Sequence, residues 1–399
     1  MKIVTFGCRI NTYESALINQ IAGDLDNVIV VNTCAVTAEA ERQCRQTIRK
    51  LRKENPNDLL IVTGCAAQLH PEIYADMPEV DRVIGNREKI TREALMATDK
   101  VLVGEVLNAD FDIPIVADFE GRTRAFIQVQ QGCDHACTFC VVRQVRGHNK
   151  GIPPEQVIKQ AQTFVDNGYS ELVLTGIDVT SYPYGFSDLV EKVLKEVSGL
   201  KRLRFGSVDP AGVDDKLISL FEKYEALMPH MHLSAQSGDN LILRRMGRRH
   251  KREDVINLAQ KLRAIRPNFV LGSDFITGFP TETEEMFQNT LALVEQAQII
   301  LLHVFPFSVR PGTPSAKMEM VDVHLRRERA RQLREKGNKL LQTYLKSQLG
   351  KTEKVLIEKD NQGFNEHYIS TEIKGVCKTG QIVEVINEGV SDNGFVAKV

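Results

Sequence analysis

The sequence predicts an α/β protein in three parts: an N-terminal parallel-sheet α/β domain, a central partial (β/α)6 barrel, and a small C-terminal all-β barrel. Two regions alternate apolar β-branched runs with helical stretches, which is the pattern of parallel strands joined by helices. A third region keeps the apolar runs but has no helices between them. The parts are expected to span residues 1–117, 118–345 and 346–399.

In the first part the strands are "KIVTFG", "VIVVNT" and "LLIVTG", each closed by a turn residue. The stretch "TAEAERQCRQTIRKLRKENP" supplies a helix, with Thr37 as its N-cap and Asn55-Pro56 as its end. The mixed, proline-containing segment "NADFDIPIVADFEG" reads as the linker to the second part. There, "RAFIQVQ", "ELVLTG", "RLRFGSV", "HMHLSAQ", "FVLGSDFI" and "IILLHVFPF" are six strands with helices between them. One such helix, "PEQVIKQAQTFVDNG", places Val157, Ile158, Ala161, Phe164 and Val165 on a single stripe. Six units are too few for a full eight-fold barrel. A partial barrel fits best, with an open sheet as the alternative that patterning leaves. In both architectures chemistry gathers at the carboxyl ends of the strands. A charged helix from 322 to about 349 leads to "EKVLIEKD", "EHYISTEI", "GQIVEVINEG" and "NGFVAKV", split by Gly and Asn turns.

The composition of these 399 residues, 42% hydrophobic and 26% charged, is that of an ordinary globular protein with room for several cores. The net charge of −1 excludes polyanion binding by bulk charge, so a nucleic-acid surface must be a local patch. No basic-then-apolar leader opens the chain, and no apolar run approaches the roughly 20 residues needed to cross a bilayer. The expectation is a cytoplasmic protein without a membrane partner, whose thiols stay reduced.

Under that expectation the eight cysteines are ligands, nucleophiles or core residues. Cys133, Cys137 and Cys140 sit in "GCDHACTFC", directly after the first strand of the second part. Structural zinc is the bland alternative, but it is nearly always four-coordinate. No Cys or His pair at zinc spacing follows, and His135 lies wedged between the ligands. A 4Fe-4S cluster held by three thiolates explains the count, and it leaves one iron open for a substrate or cofactor. Cys8, Cys34 and Cys65 each end a different strand of the first part. In a parallel sheet those ends share an edge, so the three can converge on a second cluster. Cys44 falls on a helix face with Ala40, Ile48 and Leu51 and reads as core, while Cys377 is a lone thiol.

The C-x3-C-x-Φ-C spacing, with Phe139 as its aromatic, resembles the radical S-adenosylmethionine (SAM) superfamily. Further motifs narrow the likeness: "FGCRINTYES", "VNTCAVT", "TGCAAQ", "LTGIDVTSY", "HLSAQSGDNLILRRMGRRH", "DFITGFPTET" and "HVFPFSVRPGTPS". Over nearly its whole length the chain is similar to the radical-SAM methylthiotransferase family. Tyr13-Glu14-Ser15 and "MGRRH" match the branch acting on threonylcarbamoyl-adenosine beside the tRNA anticodon. The resemblance implies a SAM-cleaving cluster on Cys133, Cys137 and Cys140 and an auxiliary, sulfur-carrying cluster on Cys8, Cys34 and Cys65. It implies two SAM per turnover, one to methylate the sulfur and one as the radical source. A low-potential one-electron donor such as flavodoxin or ferredoxin and a sulfur source are implied as partners, with tRNA as substrate. The C-terminal module looks like the family's TRAM domain, a small β-barrel associated with RNA binding.

The departure from the family lies in "VVRQVRGHNKG": Arg143 stands where proline is usual and Lys150-Gly151 where Arg-Ser is, while Arg146 and Gly147 are retained. Phe139 and the strand-end residues Thr175, Gly176, Ser234, Gln236 and Gly278 are candidates for the SAM pocket; for the strand-end residues, ordinary turn chemistry is the alternative. Arg244, Arg245, Arg248, Arg249, Lys251 and Arg252 cluster after the fourth barrel strand as candidate phosphate contacts, or else as a solvated helix face. Rival functions are methylthiolation of isopentenyl-adenosine in tRNA or of ribosomal protein S12, and a non-catalytic zinc-stabilised RNA-binding module.

Overall fold

The computed structural model describes residues 1–107, 114–119 and 121–399. Strands β1 (Lys2–Thr5), β2 (Val28–Thr33), β3 (Leu59–Gly64), β4 (Arg82–Ile84) and β5 (Val101–Leu102) form one parallel sheet in chain order. Helices α1 (Arg9–Ala22), α2 (Ala38–Glu54), α3 (Cys65–Leu69), α4 (Pro71–Ala75) and α5 (Arg92–Met96) connect and cover it. Alternate residues of β2 and β3 point to opposite faces. Val28, Val30 and Ile61 meet Ile18 of α1 and Leu95 of α5, while Ile29, Val31, Leu60 and Val62 meet Ile48 and Leu51 of α2 and Tyr74 of α4. Thr37 caps α2 by accepting the Ala40 N–H, and the helix stops before Asn55-Pro56.

The second part opens with β6 (Arg124–Gln128) and a short antiparallel ladder of β7 (Gln130–Gln131) with β8 (Lys150–Gly151). Between the arms of that ladder lie the cysteine loop and α6 (Val142–Arg146). There follow α7 (Pro154–Asp166), β9 (Glu171–Thr175), α8 (Phe186–Glu196), β10 (Arg202–Phe205), α9 (Asp215–Lys223) and β11 (His230–Gln236). The part closes with α10 (Asn240–Met246), α11 (Arg252–Ile265), β12 (Val270–Thr277), α12 (Glu284–Gln296), β13 (Ile299–Pro306) and α13 (Val323–Ser347). Parallel pairing runs β6–β9–β10 and β11–β12–β13. The two sets join where the Val208 N–H reaches the His232 carbonyl at 2.9 Å and the Ser234 N–H reaches the Val208 carbonyl at 2.9 Å. Six strands therefore follow one another in chain order, and among the described residues β6 and β13 do not pair. This is a barrel with one open side.

The expected linker is only partly a linker. Residues 108–113 and 120 lie outside the described residues. Within 114–119, Val116 is fully buried, its N–H and carbonyl held by the Gln160 side chain at 2.8 and 2.6 Å. Phe119 packs on Tyr13, Phe126 and Phe164 with ring centroids 6.1, 5.7 and 5.5 Å away. The segment is thus a strap whose apolar side chains tie α1 to the barrel. On the other barrel edge, Ala38 N–H donates to Ser308 Oγ at 3.0 Å, and buried Arg310 pairs with Glu41. The N-terminal domain is gripped from both edges of the open side.

Strands β14 (Thr352–Lys359), β15 (Gln362–Asn365), β16 (Ser370–Lys374), β17 (Ile382–Val390) and β18 (Gly394–Lys398) close into a small barrel in the order β14-β15-β16-β18-β17. Val355, Ile357, Ile373, Val385 and Ala397 fill it. It docks under the amino ends of the central strands, where Arg202 and Arg204 donate to the carbonyls of Lys354 (2.6 Å) and Asn365 (2.8 Å). Tyr368 stacks on His230 at 4.9 Å and lies 3.4 Å from Arg9 Nη2.

Truncating the strap's aromatic anchor, Phe119→Ala, removes a buried ring shared by both domains and should cost about 3–5 kcal/mol. Urea titration followed by circular dichroism suits this chain, which has no tryptophan; an unchanged midpoint would contradict the strap assignment.

Candidate functional site

Cys8 precedes α1, Cys34 follows β2 and Cys65 opens α3 after β3, so the three thiols leave one edge of three adjacent parallel strands. Two of them follow a glycine at positive φ, Gly7 at +91° and Gly64 at +94°, which turns the chain out of the strand. A Cβ on Gly7 would stand 2.9 Å from Cys34 Sγ, so this glycine also leaves space beside that sulfur. Burial pushes the Cys34 thiol up to about 12, and the nearby Cys65 and Cys8 thiols add to this; Cys8 is raised too, chiefly by burial. The Val36 N–H donates to Cys34 Sγ at 3.5 Å. Cys44 is fully buried on α2 with Ile48 and Leu51, as a core residue should be. Cys377 is half-buried against the core of the small barrel.

The second triad lies on a loop pinned from several sides. Cys133 N–H bonds to the Gly147 carbonyl at 3.1 Å, Thr138 N–H to Met246 at 3.0 Å, and Thr138 Oγ1 to the Arg245 carbonyl at 2.8 Å. Gly132, at φ +71°, is packed so closely that a Cβ would sit 1.9 Å from the His148 carbonyl oxygen. Backbone N–H groups of His135 and Val142 point at Cys133 Sγ and Cys140 Sγ, both at 3.4 Å. Burial lifts Cys133 to about 11 and Cys140 to about 12, although the Cys140 residue keeps exposed surface. His135 Nε2 is engaged by Asp178 (2.7 Å) and Ser181 (3.2 Å), with His135 and Asp178 close to the Cys133 sulfur.

These donor sets fit iron–sulfur clusters. Each supplies three soft sulfurs, and backbone N–H groups are aimed at Cys34, Cys133 and Cys140. His135 and Asp178 stand close to Cys133 but are bonded to each other. The raised Cys8, Cys34, Cys133 and Cys140 thiols ionise at a cost that bound iron would offset.

The two triads belong to one site. Val141, next to Cys140, packs in the same apolar cluster as Ala35 and Ala66, the neighbours of Cys34 and Cys65. Arg146 crosses from α6 into the N-terminal domain with its side chain fully buried. Its Nε donates to Cys65 Sγ at 3.2 Å, its Nη2 to Asn11 Oδ1 at 2.5 Å and Glu14 Oε2 at 3.0 Å, and its Nη1 to Glu14 Oε1. Lys89 Nζ meets the same Glu14 at 2.6 Å. Burial drives the Glu14 carboxyl up, but Arg146 and Lys89 more than reverse this and hold it below the usual carboxylate range. Sequence reading singled out Arg146 as a retained residue of an atypical loop. Its position at the N-terminal triad depends on the packing of two domains and has no local signal.

The candidate SAM residues divide. Thr175 is buried and Gly176 half-buried at the end of β9, and Ser234 and Gln236 are half-buried at the end of β11. Phe139 packs edge-on to Phe279 at 6.3 Å. Gly278 is buried, its N–H donating to Glu282 at 2.8 Å and its Cα against Arg326, so its surroundings are structural.

The basic run also divides. Arg244, Arg249 and Lys251 are exposed, although Arg249 also pairs with Asp209 at 3.1 Å. Arg248 turns inward, with Nη1 3.7 Å from Cys137 Sγ, Nη2 3.0 Å from the Ser234 carbonyl, and an ion pair to Asp209 at 3.2 Å. Arg245 donates to Thr281 (2.7 Å) and Arg252 to Gln296 (3.0 Å). Arg248 thus borders the cysteine loop, and the run is not one solvated face.

The Radical SAM superfamily profile matches residues 127–294, and that described as uncharacterized protein family UPF0004 matches residues 1–85. The threonylcarbamoyladenosine tRNA methylthiotransferase MtaB of Rickettsia prowazekii is 46% identical, across 98% of this chain and 95% of its own. The protein of the same name from Thermotoga maritima is 36% identical, across 100% and 96%. Among solved structures, the radical SAM methyltransferase TsrM of Kitasatospora setae shares the fold with a TM-score of 0.56 at 14% identity, covering 77% of this chain and 67% of that one.

Replacing the buried guanidinium, Arg146→Met, leaves Glu14 short of a partner and should destabilise the protein by about 3–5 kcal/mol at neutral pH. Glu14 is held below its ordinary value of 4.5, so this contribution is present above that pH and lost as pH falls below it. Denaturation midpoints of the two proteins should therefore converge in acid; a constant gap would exclude Glu14 as the cause.

Proposed function

Because the chain belongs to the radical SAM methylthiotransferases, we propose that it installs a methylthio group on carbon 2 of threonylcarbamoyl-adenosine beside the anticodon of tRNA. The likeness at 46% identity over nearly the whole chain carries this reading, and the packing of the two cysteine loops against each other supports it.

Cys133, Cys137 and Cys140 would hold the SAM-binding 4Fe-4S cluster, and Cys8, Cys34 and Cys65 an auxiliary 4Fe-4S cluster. When bound, these groups supply one-electron cleavage of SAM and a sulfur for an unactivated ring carbon, with two SAM used per turnover. The chain's own part is geometric. The strand ends fix three thiols on one edge, the Arg146–Glu14 pair and Val141 set the separation of the two cysteine loops, and the strap keeps the domains from parting. Thr175, Gly176, Ser234 and Gln236, at the carboxyl ends of β9 and β11, would line the SAM pocket beside the Cys133 loop. Phe139 flanks it, and Arg248 faces Cys137 as a fixed positive charge. A low-potential one-electron donor such as flavodoxin or ferredoxin, and a sulfur source, complete the cycle from outside.

For the tRNA, exposed Arg244, Arg249 and Lys251 on the rim offer phosphate contacts, and the C-terminal barrel offers a second RNA surface in the manner of a TRAM domain. No helix among the described residues is long and apolar enough to cross a membrane.

Mass analysis of tRNA nucleosides tests the substrate: deletion of the gene should remove the methylthio derivative of threonylcarbamoyl-adenosine. Loss of the isopentenyl derivative instead would transfer the protein to the other branch. Anaerobically reconstituted protein should hold about eight irons, and about four after Cys133, Cys137 and Cys140 become Ala. That variant should lose SAM cleavage. The Cys8, Cys34 and Cys65 variant should keep cleavage and lose sulfur transfer; methylthiolation by it would refute the auxiliary assignment. Changing Arg244 and Lys251 to Ala should lower the salt dependence of tRNA affinity by about one unit of slope each, and an unchanged slope would remove them from the interface.

A further inference from the structure

Three neighbouring strands of the central barrel alternate in exposure near their carboxyl ends. Ser234 and Gln236 on β11, and Asp274 and Ile276 on β12, are half-open, whereas Leu233, Ala235, Ser273, Phe275 and Thr277 are buried. On β13, His303 and Phe305 are exposed and Val304 is buried. Residues in register on paired strands point the same way, and Asp274 pairs with His303 and Ile276 with Phe305. These side chains therefore form one wall with two steps.

The upper step is apolar. Phe305, 41% exposed, neighbours Ile276, which packs in the same cluster as Phe139 of the cysteine loop. The lower step is polar: Asp274 Oδ1 lies 3.1 Å from His232 Nε2 and 3.2 Å from His303 Nδ1, and the two imidazoles approach to 4.7 Å. The His303 side chain is 64% exposed, so with Nδ1 on Asp274 its Nε2 is left for a partner from outside. The wall ends beside the N-terminal domain, where Ser308 meets Ala38. Val36, two residues past Cys34, and Val309 flank that contact, and both are exposed. Single exposed apolar residues are common. Phe305 stands beside Ile276 of the cysteine-loop cluster and one register step from the polar group. Val36 and Val309 border the domain contact at the wall's end, and such a surface calls for an occupant.

We infer that this wall receives the extruded purine base of the RNA substrate. Phe305 stacks on the base, and His303 Nε2, oriented by Asp274 and through it by His232, hydrogen-bonds the base's polar substituent. The inference rests on the RNA-modifying reading above. Chemistry at a ring atom requires taking the base out of its stack, and an extruded base is held by aromatic stacking together with hydrogen bonds to its edge. A His-Asp-His group can also hold a divalent cation. An ion, however, has no use for an exposed phenyl ring on the same wall, whereas a base uses both steps.

The test measures affinity of the full-length protein for an anticodon stem–loop carrying either the intact target adenosine or an abasic site. Wild type should prefer the intact RNA. Phe305→Ala should weaken binding of the intact RNA by about five- to a hundredfold and leave the abasic RNA unaffected; His303→Ala should act in the same direction, and Phe305→Tyr should restore the preference. Equal losses on both RNAs, or no loss on either, overturns the inference while leaving the RNA-modifying reading intact. A wild type that binds neither RNA defeats that reading itself. Elemental analysis adds a separate check: an equivalent of zinc, manganese or other divalent metal lost in Asp274→Asn would make the lower step a metal site and also overturn the inference.

Discussion

A guanidinium buried at a domain seam governs the geometry of this site. Arg146 belongs to the loop that follows the second cysteine triad, yet among the described residues its side chain bonds to Cys65, Asn11 and Glu14 of the N-terminal domain. A charge with no access to water must be paired and hydrogen-bonded. Glu14, Asn11 and the sulfur of Cys65 meet that demand in only one relative position of the two domains. The separation of the triads is thus set by an interaction that tolerates little displacement, and the surrounding apolar contacts of Val141 and Phe119 are consistent with the same position.

Much of the fold was legible in the sequence because its strands are long, apolar and β-branched. The three N-terminal strands, the six of the barrel and the N-cap at Thr37 fall where periodicity and turn chemistry put them. Strands β4, β5, β8 and β15 were not foreseen: they span three, two, two and four residues, too short for a period to register. Residues 114–119 read as linker because a proline and mixed polarity are what linkers carry. Their burial comes from Tyr13 and Phe164, partners far away in the chain.

At the site itself, cysteine spacing was informative because three strands of a parallel sheet end on one edge wherever their sequences lie. The basic run was less so. Spacing alone cannot distinguish an arginine that faces water from one that turns inward, and Arg248 turns toward Asp209 and the cysteine loop while Arg244 does not. The His232–Asp274–His303 group was invisible for the same reason, since its members come from three strands and no two are close in sequence.

The docking of the small C-terminal barrel has a structural corollary. Its Tyr368 closes the floor beneath the strand starts while touching Arg9, the residue that follows Cys8. Arg202 and Arg204 anchor it there through its backbone oxygens. The appendage therefore acts as a keystone: a chain cut short of it would lay bare a nest of guanidiniums and untether Arg9, next to Cys8.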